Sequence, residues 1–307
     1  DWNLIGNPYT TYLDIADFLN YDLGDGTRNI DILEDVSGIY GYDGSASDGW
    51  DVITLANASA RDMAPGQGFF VAADAAFTSG YDITFAPSMR RINSTDDFIA
   101  GRNSEALTYL KLKSSTLAND FTTQFYFNDN ATVGLDHGYD AKVWGDTSAS
   151  FALYSNLVED NFGLPIALQA LNTTDLTNVV IPLGVNANAG EQLTFTISET
   201  TLPTNINVYL DDTLNNTTTL LNNSDYIINP VSHISGTGRF FIRFTEQVLS
   251  NSDVDFDDLK IYTGTHPKVI YVQGVLQTDA VAKVYDLQGR LVHQSLLSRN
   301  SVTNQID

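Results

Sequence analysis

Short runs of alternating Val, Ile, Thr, Tyr and Phe, broken by Asn, Asp, Gly or Ser, fill nearly the whole chain. A repeat of two turns one face of an extended strand to a core and the other to water, whereas a helix needs apolar residues at i, i+3 and i+4. Only Tyr12–Leu19 reads the second way, with Ile15, Phe18 and Leu19 on one face. That stretch is expected to make two helical turns covering a sheet edge or barrel end. The remainder is expected to be all-β: consecutive β-sandwich modules followed by an incomplete Ig-like β-sandwich. No internal repeat of fixed period is present, which argues against solenoids and propellers.

The turn signals divide the chain into three regions. Residues 1–91 form a β-rich module with expected strands near Trp2–Ile5, Gly38–Tyr42, Gly68–Ala72 and Asp82–Phe85. Residues 92–250 carry Leu107–Leu112, Phe121–Phe127, Val179–Pro182, Leu193–Ile197, Ile206–Leu210 and Phe240–Phe244, a spacing that suits a sandwich. The Asn-rich stretch Leu214–Asp225 reads as a long hairpin loop with strand ends. Residues 251–307 open on an acidic linker, in which Asp253, Asp255, Asp257 and Asp258 accompany Val254 and Phe256. Strands are expected there at Leu259–Tyr262, Val269–Val272, Val281–Tyr285 and Leu291–Leu296, the last two joined at Asp286-Leu287-Gln288-Gly289.

Charge narrows the partners. Among 307 residues, 38 are acidic and 15 basic, a formal net charge of −23. Such a surface repels phosphate backbones, so no nucleic acid partner is expected, and anionic membranes are disfavoured. There is no cysteine, hence no disulfide, thiolate metal site or cysteine nucleophile. No run reaches the roughly 18 apolar residues of a spanning helix, so no transmembrane segment is expected. No basic-then-apolar leader opens the chain, and Asp1-Trp2-Asn3-Leu4-Ile5 reads as mid-strand, so a fragment with its export signal upstream is expected.

Catalytic patterns are absent from the sequence. His137, His233, His266 and His293 stand at no metal-ligand spacing from one another, and no Gly-x-Ser-x-Gly elbow occurs. Gly134, Gly138 and Gly145 lack the strand-to-helix context of a phosphate loop. Carboxylates are too numerous for any pair to single itself out as a glycosidase couple. No enzyme is expected. Calcium is the cofactor considered: Asp129, Asn130, Asp136 and Asp140 offer four oxygen-bearing side chains, with Gly134 and Gly138 to let the loop curl. The alternative is that Asp136 and Asp140 cap turns by bonding their own backbone. Asp22-Leu23-Gly24-Asp25-Gly26 is a second cation candidate that also reads as a turn. Trp50, Trp144, Tyr40, Tyr42 and Tyr139 are candidate stacking platforms for surface glycans, against the commoner use of aromatics as packing.

Three groups of segments resemble the C-terminal ends of proteins exported by the type IX secretion system of Bacteroidota. Trp2-Asn3-Leu4-Ile5-Gly6-Asn7-Pro8-Tyr9, followed by Ala64-Pro65-Gly66-Gln67-Gly68-Phe69-Phe70-Val71 and Ser88-Met89-Arg90, is similar to a β-module of those surface proteins. Phe127-Asn128-Asp129-Asn130, Asp136, Tyr139-Asp140-Ala141, Val208-Tyr209-Leu210-Asp211-Asp212 and Arg239-Phe240-Phe241 resemble the sandwich that often precedes the sorting signal. Leu259-Lys260-Ile261-Tyr262 and Ala282-Lys283-Val284-Tyr285-Asp286-Leu287-Gln288-Gly289-Arg290-Leu291-Val292 look like the type A sorting domain.

Two features depart from that pattern. The first sorting strand runs on into Thr263-Gly264-Thr265-His266-Pro267 in place of Pro-Asn-Pro, and the usual closing strand is missing, with Gln305-Ile306-Asp307 resembling only its start. Asp212-Thr213-Leu214 also resembles the short O-glycosylation motif of Bacteroidota. The resemblance implies a secreted, cell-surface protein, an adhesin or extracellular appendage. This chain would be its stalk or assembly region and outer-membrane export signal. Implied partners are type IX secretion and outer-membrane proteins, other copies of the chain, or surface glycans. Residues implied in partner binding are Lys260, Tyr262, Val284, Tyr285, Gly289 and Arg290, on a surface whose unpaired edge could accept a strand. The competing expectation is an accessory carbohydrate-binding tail of a secreted hydrolase.

Overall fold

A computed structural model describes residues 2–42, 50–77, 80–92, 99–101, 107–144, 150–246, 260–265, 268–273, 276, 278–285, 291–299, 301 and 303–306. The described residues are nearly all strand, with the single α-helix Ile15–Leu19, and the protein is an all-β, sandwich-built chain. It divides into two compact units, Asp1–Gln247 and Val248–Asp307. The boundary read at residues 91 and 92 falls inside the first unit.

The first unit opens with a four-stranded antiparallel sheet in the spatial order Trp2–Gly6, Gly68–Ala72, Ile39–Tyr42, Trp50–Ile53. The two segments that share the first resemblance are therefore neighbours, paired from Trp2↔Ala72 to Gly6↔Gly68. A second small sheet runs Arg90–Arg91, Tyr12–Asp14, Arg61–Met63, Ile99–Gly101. Leu13, Ile15, Phe18, Ile39, Ile53, Met63, Phe69 and Met89 are buried together in one core to which both small sheets contribute. Gly38 lies hard against the neighbouring strand, where an added Cβ would sit 2.3 Å from the Ile53 carbonyl oxygen. Gly38→Ala is expected to lower unfolding free energy by about 1–3 kcal/mol through forced strand displacement, measured by urea denaturation.

The structure departs from the sequence pattern at two places. The helix covers only Ile15–Leu19, because Tyr12–Asp14 is taken up as a strand between Arg61–Met63 and Arg90–Arg91. Asp14 is instead its N-cap, accepting the Asp17 amide at 2.9 Å. Asp82–Phe85 joins no sheet: the Thr84 amide donates to Asn29 Oδ1 at 3.0 Å, and Phe85 stacks on Phe18 with centroids 5.0 Å apart.

An eleven-stranded sheet makes up the rest of the first unit. Its order is Thr217–Leu220, Ile206–Asp212, Phe240–Glu246, Asn178–Asn186, Ala152–Ser155, Ile166–Leu171, Asp120–Phe127, Thr108–Ser115, Leu193–Thr200, Tyr226–Ile228, with Ala141–Lys142 beside Ile166–Leu171. Only Asp120–Phe127 and Ile166–Leu171 pair in parallel among these. The first and last strands of this path are consecutive in the chain, so the sheet curls back on itself. Its interior holds Leu110, Phe125, Phe127, Ile181, Leu183, Phe195, Val208, Phe240 and Phe244. A third core lies between the two parts, where Tyr40, Val52 and Ala56 pack with Tyr109, Tyr126, Ala131, Ala141, Leu168 and Ala170.

The second unit has a three-stranded sheet, Lys260–Thr265, Lys268–Gln273 and Thr303–Ile306, and a hairpin, Ala280–Tyr285 with Leu291–Leu297. Val272, Leu276, Leu297 and Ile306 form its core. Thr303–Ile306 pairs antiparallel with Lys268–Gln273, setting Ile306 opposite Ile270. The acidic linker and the hairpin turn Asp286–Gly289 lie outside the described residues.

Candidate functional site

The loop carrying the four candidate cation ligands is positioned by the first module. Gly138 adopts φ +76°, and a Cβ there would meet Ile30 Cγ1 at 2.8 Å, so only glycine allows this close approach. The Gly138 carbonyl accepts the Leu55 amide at 2.8 Å, the Tyr139 carbonyl accepts Thr54 Oγ1 at 2.8 Å, and the Lys142 carbonyl accepts the Tyr40 hydroxyl at 2.8 Å. Polar groups surround the contact: Lys142 pairs with Glu34 at 2.7 Å, and the His137 ring nitrogens lie 3.1 Å from Asp35 and 3.7 Å from Asp31.

Inside the loop each carboxylate serves a different donor. Asp140 is fully buried, and its two oxygens accept the Asp136 and Ala170 amides, both at 2.8 Å. Asp136 accepts the Thr132 amide at 2.5 Å and the Thr132 hydroxyl at 3.1 Å. Asp129 accepts the Thr173 hydroxyl, and the Asn130 amide donates to Asn128 Oδ1 at 3.0 Å. The bonds from the Thr132 amide to Asp136 and from the Asp136 amide to Asp140 are the turn-capping arrangement, while the Ala170 amide ties Asp140 to the strand Ile166–Leu171. Among the described residues no three His, Asp or Glu side chains converge as a metal cluster. Desolvation pushes the Asp140 carboxyl up to about 7, although the Asp136 and Ala170 amides pull it down.

The aromatic candidates are divided. Trp144 sits in a cluster with Trp2, Tyr40 and Phe70, at centroid distances of 4.1, 5.4 and 5.1 Å. Tyr40 is fully buried and Tyr139 packs against the same core, while Tyr42 is exposed. Burial holds the Tyr40 phenol far above its ordinary range and pushes Tyr126 up to about 12. Trp50 lies on a strand, and its side chain falls outside the described residues.

The Asp211-Asp212 pair anchors the end of the strand Ile206–Asp212. Asp212 accepts Arg239 Nε at 2.9 Å and Nη2 at 2.7 Å, the Tyr226 hydroxyl at 2.7 Å, and the Leu214 and Asn215 amides at 3.0 and 3.2 Å. Asp211 takes Arg243 in the same bidentate way, at 3.0 and 3.2 Å. Burial alone would raise both acids; the arginines and hydroxyls outweigh it and hold them below the usual carboxylate range. The register explains the pairing: Asp211 and Asp212 sit opposite Phe241 and Phe240, so Arg243, two residues along that strand, and Arg239, just before it, reach them.

In the second unit Lys260 lies opposite Gln273 and Tyr262 opposite Tyr271. Val284 lies opposite His293 and packs on the small core, and Tyr285 faces Leu291 across a register shift. Gly289 and Arg290 lie outside the described residues.

Fold and polar pairs together define an all-β protein in which buried charges tie strands and loops to one another. The chain belongs to the family described as a domain of unknown function (DUF8693), whose model matches residues 1–244, close to the whole first unit. No curated protein and no solved structure matches it. No helix among the described residues is long and apolar enough to cross a membrane.

Proposed function

We propose that this chain is the non-catalytic C-terminal part of a secreted surface protein, an adhesin or extracellular appendage. Residues 1–247 serve as stalk or assembly region, and residues 248–307 act in outer-membrane export. The observation that carries the reading is how the type IX-like segments are used. Trp2–Gly6 pairs with Gly68–Ala72, and Val208–Asp212 pairs with Phe240–Phe244, with Arg239 bound to Asp212 just before that strand. Residues that define strand pairing and buried ion pairs suit a module selected for being handled as a folded body.

The test is made in the native host on the full-length protein. Deleting residues 259–307 is expected to abolish the surface-exposed fraction measured by protease shaving while the protein still accumulates inside the cell. Unchanged surface exposure would defeat the proposal.

A further inference from the structure

Where the opening strand meets the segment after Gly68–Ala72, an open cleft of about 280 Å³ lies on the first module. It has room for roughly nine waters at ~30 Å³ each, or for one large side chain. Its floor is apolar and deeply set: Leu33 and Val71 are 1% and 2% exposed. Phe77 and Tyr81 form one wall, edge to face at 5.3 Å, and the Tyr81 hydroxyl is fixed by a 2.6 Å bond to Asp25 Oδ2. Asp82 stands at the rim, exposed and without an ion-pair partner among the described residues. Asp25 and Asp74 add negative charge close by in a chain of net charge −23.

We infer that this cleft is a docking site for an extended, apolar-basic segment of a partner protein. One large apolar side chain fills it, and a neighbouring Lys or Arg meets Asp82. Three observations choose that occupant. The aliphatic floor and the Phe77 ring favour an apolar side chain in the depth of the cleft, while Asn3, Tyr81 and Asp82 offer polar partners for the rest of the segment. Charge complementarity selects a cation at the rim and excludes acidic partners. Trp2–Gly6 is the outermost strand of its sheet among the described residues, with Ile5 facing the cleft and Leu4, 65% exposed, on the opposite face. A segment running beside it would present alternate side chains to the cleft and to Leu4, the usual geometry of strand addition. This inference goes beyond the export and stalk reading and stands without it.

The probe is an array of fluorescein-labelled octapeptides that pairs each of Leu, Ile, Phe and Tyr with Lys or Arg at adjacent and alternate positions, with Glu-for-Lys and Gly-for-apolar controls. Binding to residues 1–307 is read by anisotropy. A subset of the apolar-basic peptides is expected to bind, and both control sets are expected to fail. Asp82→Lys should weaken binding about tenfold or more, as reversal of a rim charge does. Ala73→Phe, at an exposed position lining the cleft, should block it. Leu117→Lys, on a fully exposed hairpin tip, should leave it unchanged. Methyl NMR should show shifts at Ile5, Ile32 and Ile83 and none at Ile227. Failure of every peptide, equal binding by Asp82→Lys and Ala73→Phe, or shifts elsewhere would each overturn the inference.

Discussion

Asp212→Ala is expected to destabilise the first unit by about 3–5 kcal/mol, the range for removing one partner of a buried ion pair. Asp212 is 2% exposed, and the side chain of Arg239 is only 16% exposed, so the guanidinium would remain largely desolvated with no counter-ion. The same change releases the Tyr226 hydroxyl and the Leu214 and Asn215 amides. Chemical denaturation should report the loss as a lower midpoint at unchanged slope. Asp212→Leu combined with Arg239→Met should recover part of it, because the orphaned charge is gone while the loop amides stay unpaired. A cost below about 1 kcal/mol for the single change would mean the pair behaves as a surface salt bridge. The sign with pH follows from the depressed carboxyl. Its stabilisation is present above the unfolded value of 3.8 and is lost as pH falls through the lower folded value.

Asp140 should behave in the opposite sense. Its folded value of about 7 lies above the ordinary 3.8, so the native state holds the proton where the unfolded chain has released it. The Asp140 contribution to unfolding free energy therefore falls as pH rises from about 4 to about 7 and levels off above that. Across that window the difference is on the order of 4 kcal/mol. Asp140→Asn removes the titration and also one acceptor, since the amide group offers a donor where the carboxylate took the second backbone N–H. The variant should carry a fixed penalty at low pH and become relatively more stable as pH rises. Urea unfolding of both proteins at pH 4.5 and 7.5 checks this, and parallel profiles would refute it.

Much of the strand pattern is legible in the sequence because it rests on side-chain alternation, which belongs to each strand alone. The runs around Phe121–Phe127, Ile206–Leu210 and Phe240–Phe244 all appear as strands, each extended by one or two residues. Ile166-Ala167-Leu168-Gln169-Ala170-Leu171 shows no alternation and is rich in residues that favour helix. It is nonetheless a strand buried on both faces, with Leu168 and Ala170 in one core and Leu171 in another. Asp82–Phe85 errs the other way: it alternates like a strand, yet its Thr84 amide is drawn to Asn29.

The candidate site divides along the same line. That Asp136 and Asp140 stand four apart across a glycine is visible in the sequence, and so is a turn-capping role. That Asp140 is fully buried depends on the loop meeting Thr54 and Leu55, residues about eighty positions away. No local pattern carries that information.

The core shared by Tyr40 and Val52 with Tyr109, Tyr126 and Leu168 sets how the first unit comes apart. A protease cut near residue 91 would leave Tyr109 and Tyr126 facing water on one fragment and Val52 on the other, so neither piece is expected to persist unaided. Heat should then melt residues 1–247 in one step, and calorimetric and van't Hoff enthalpies should agree.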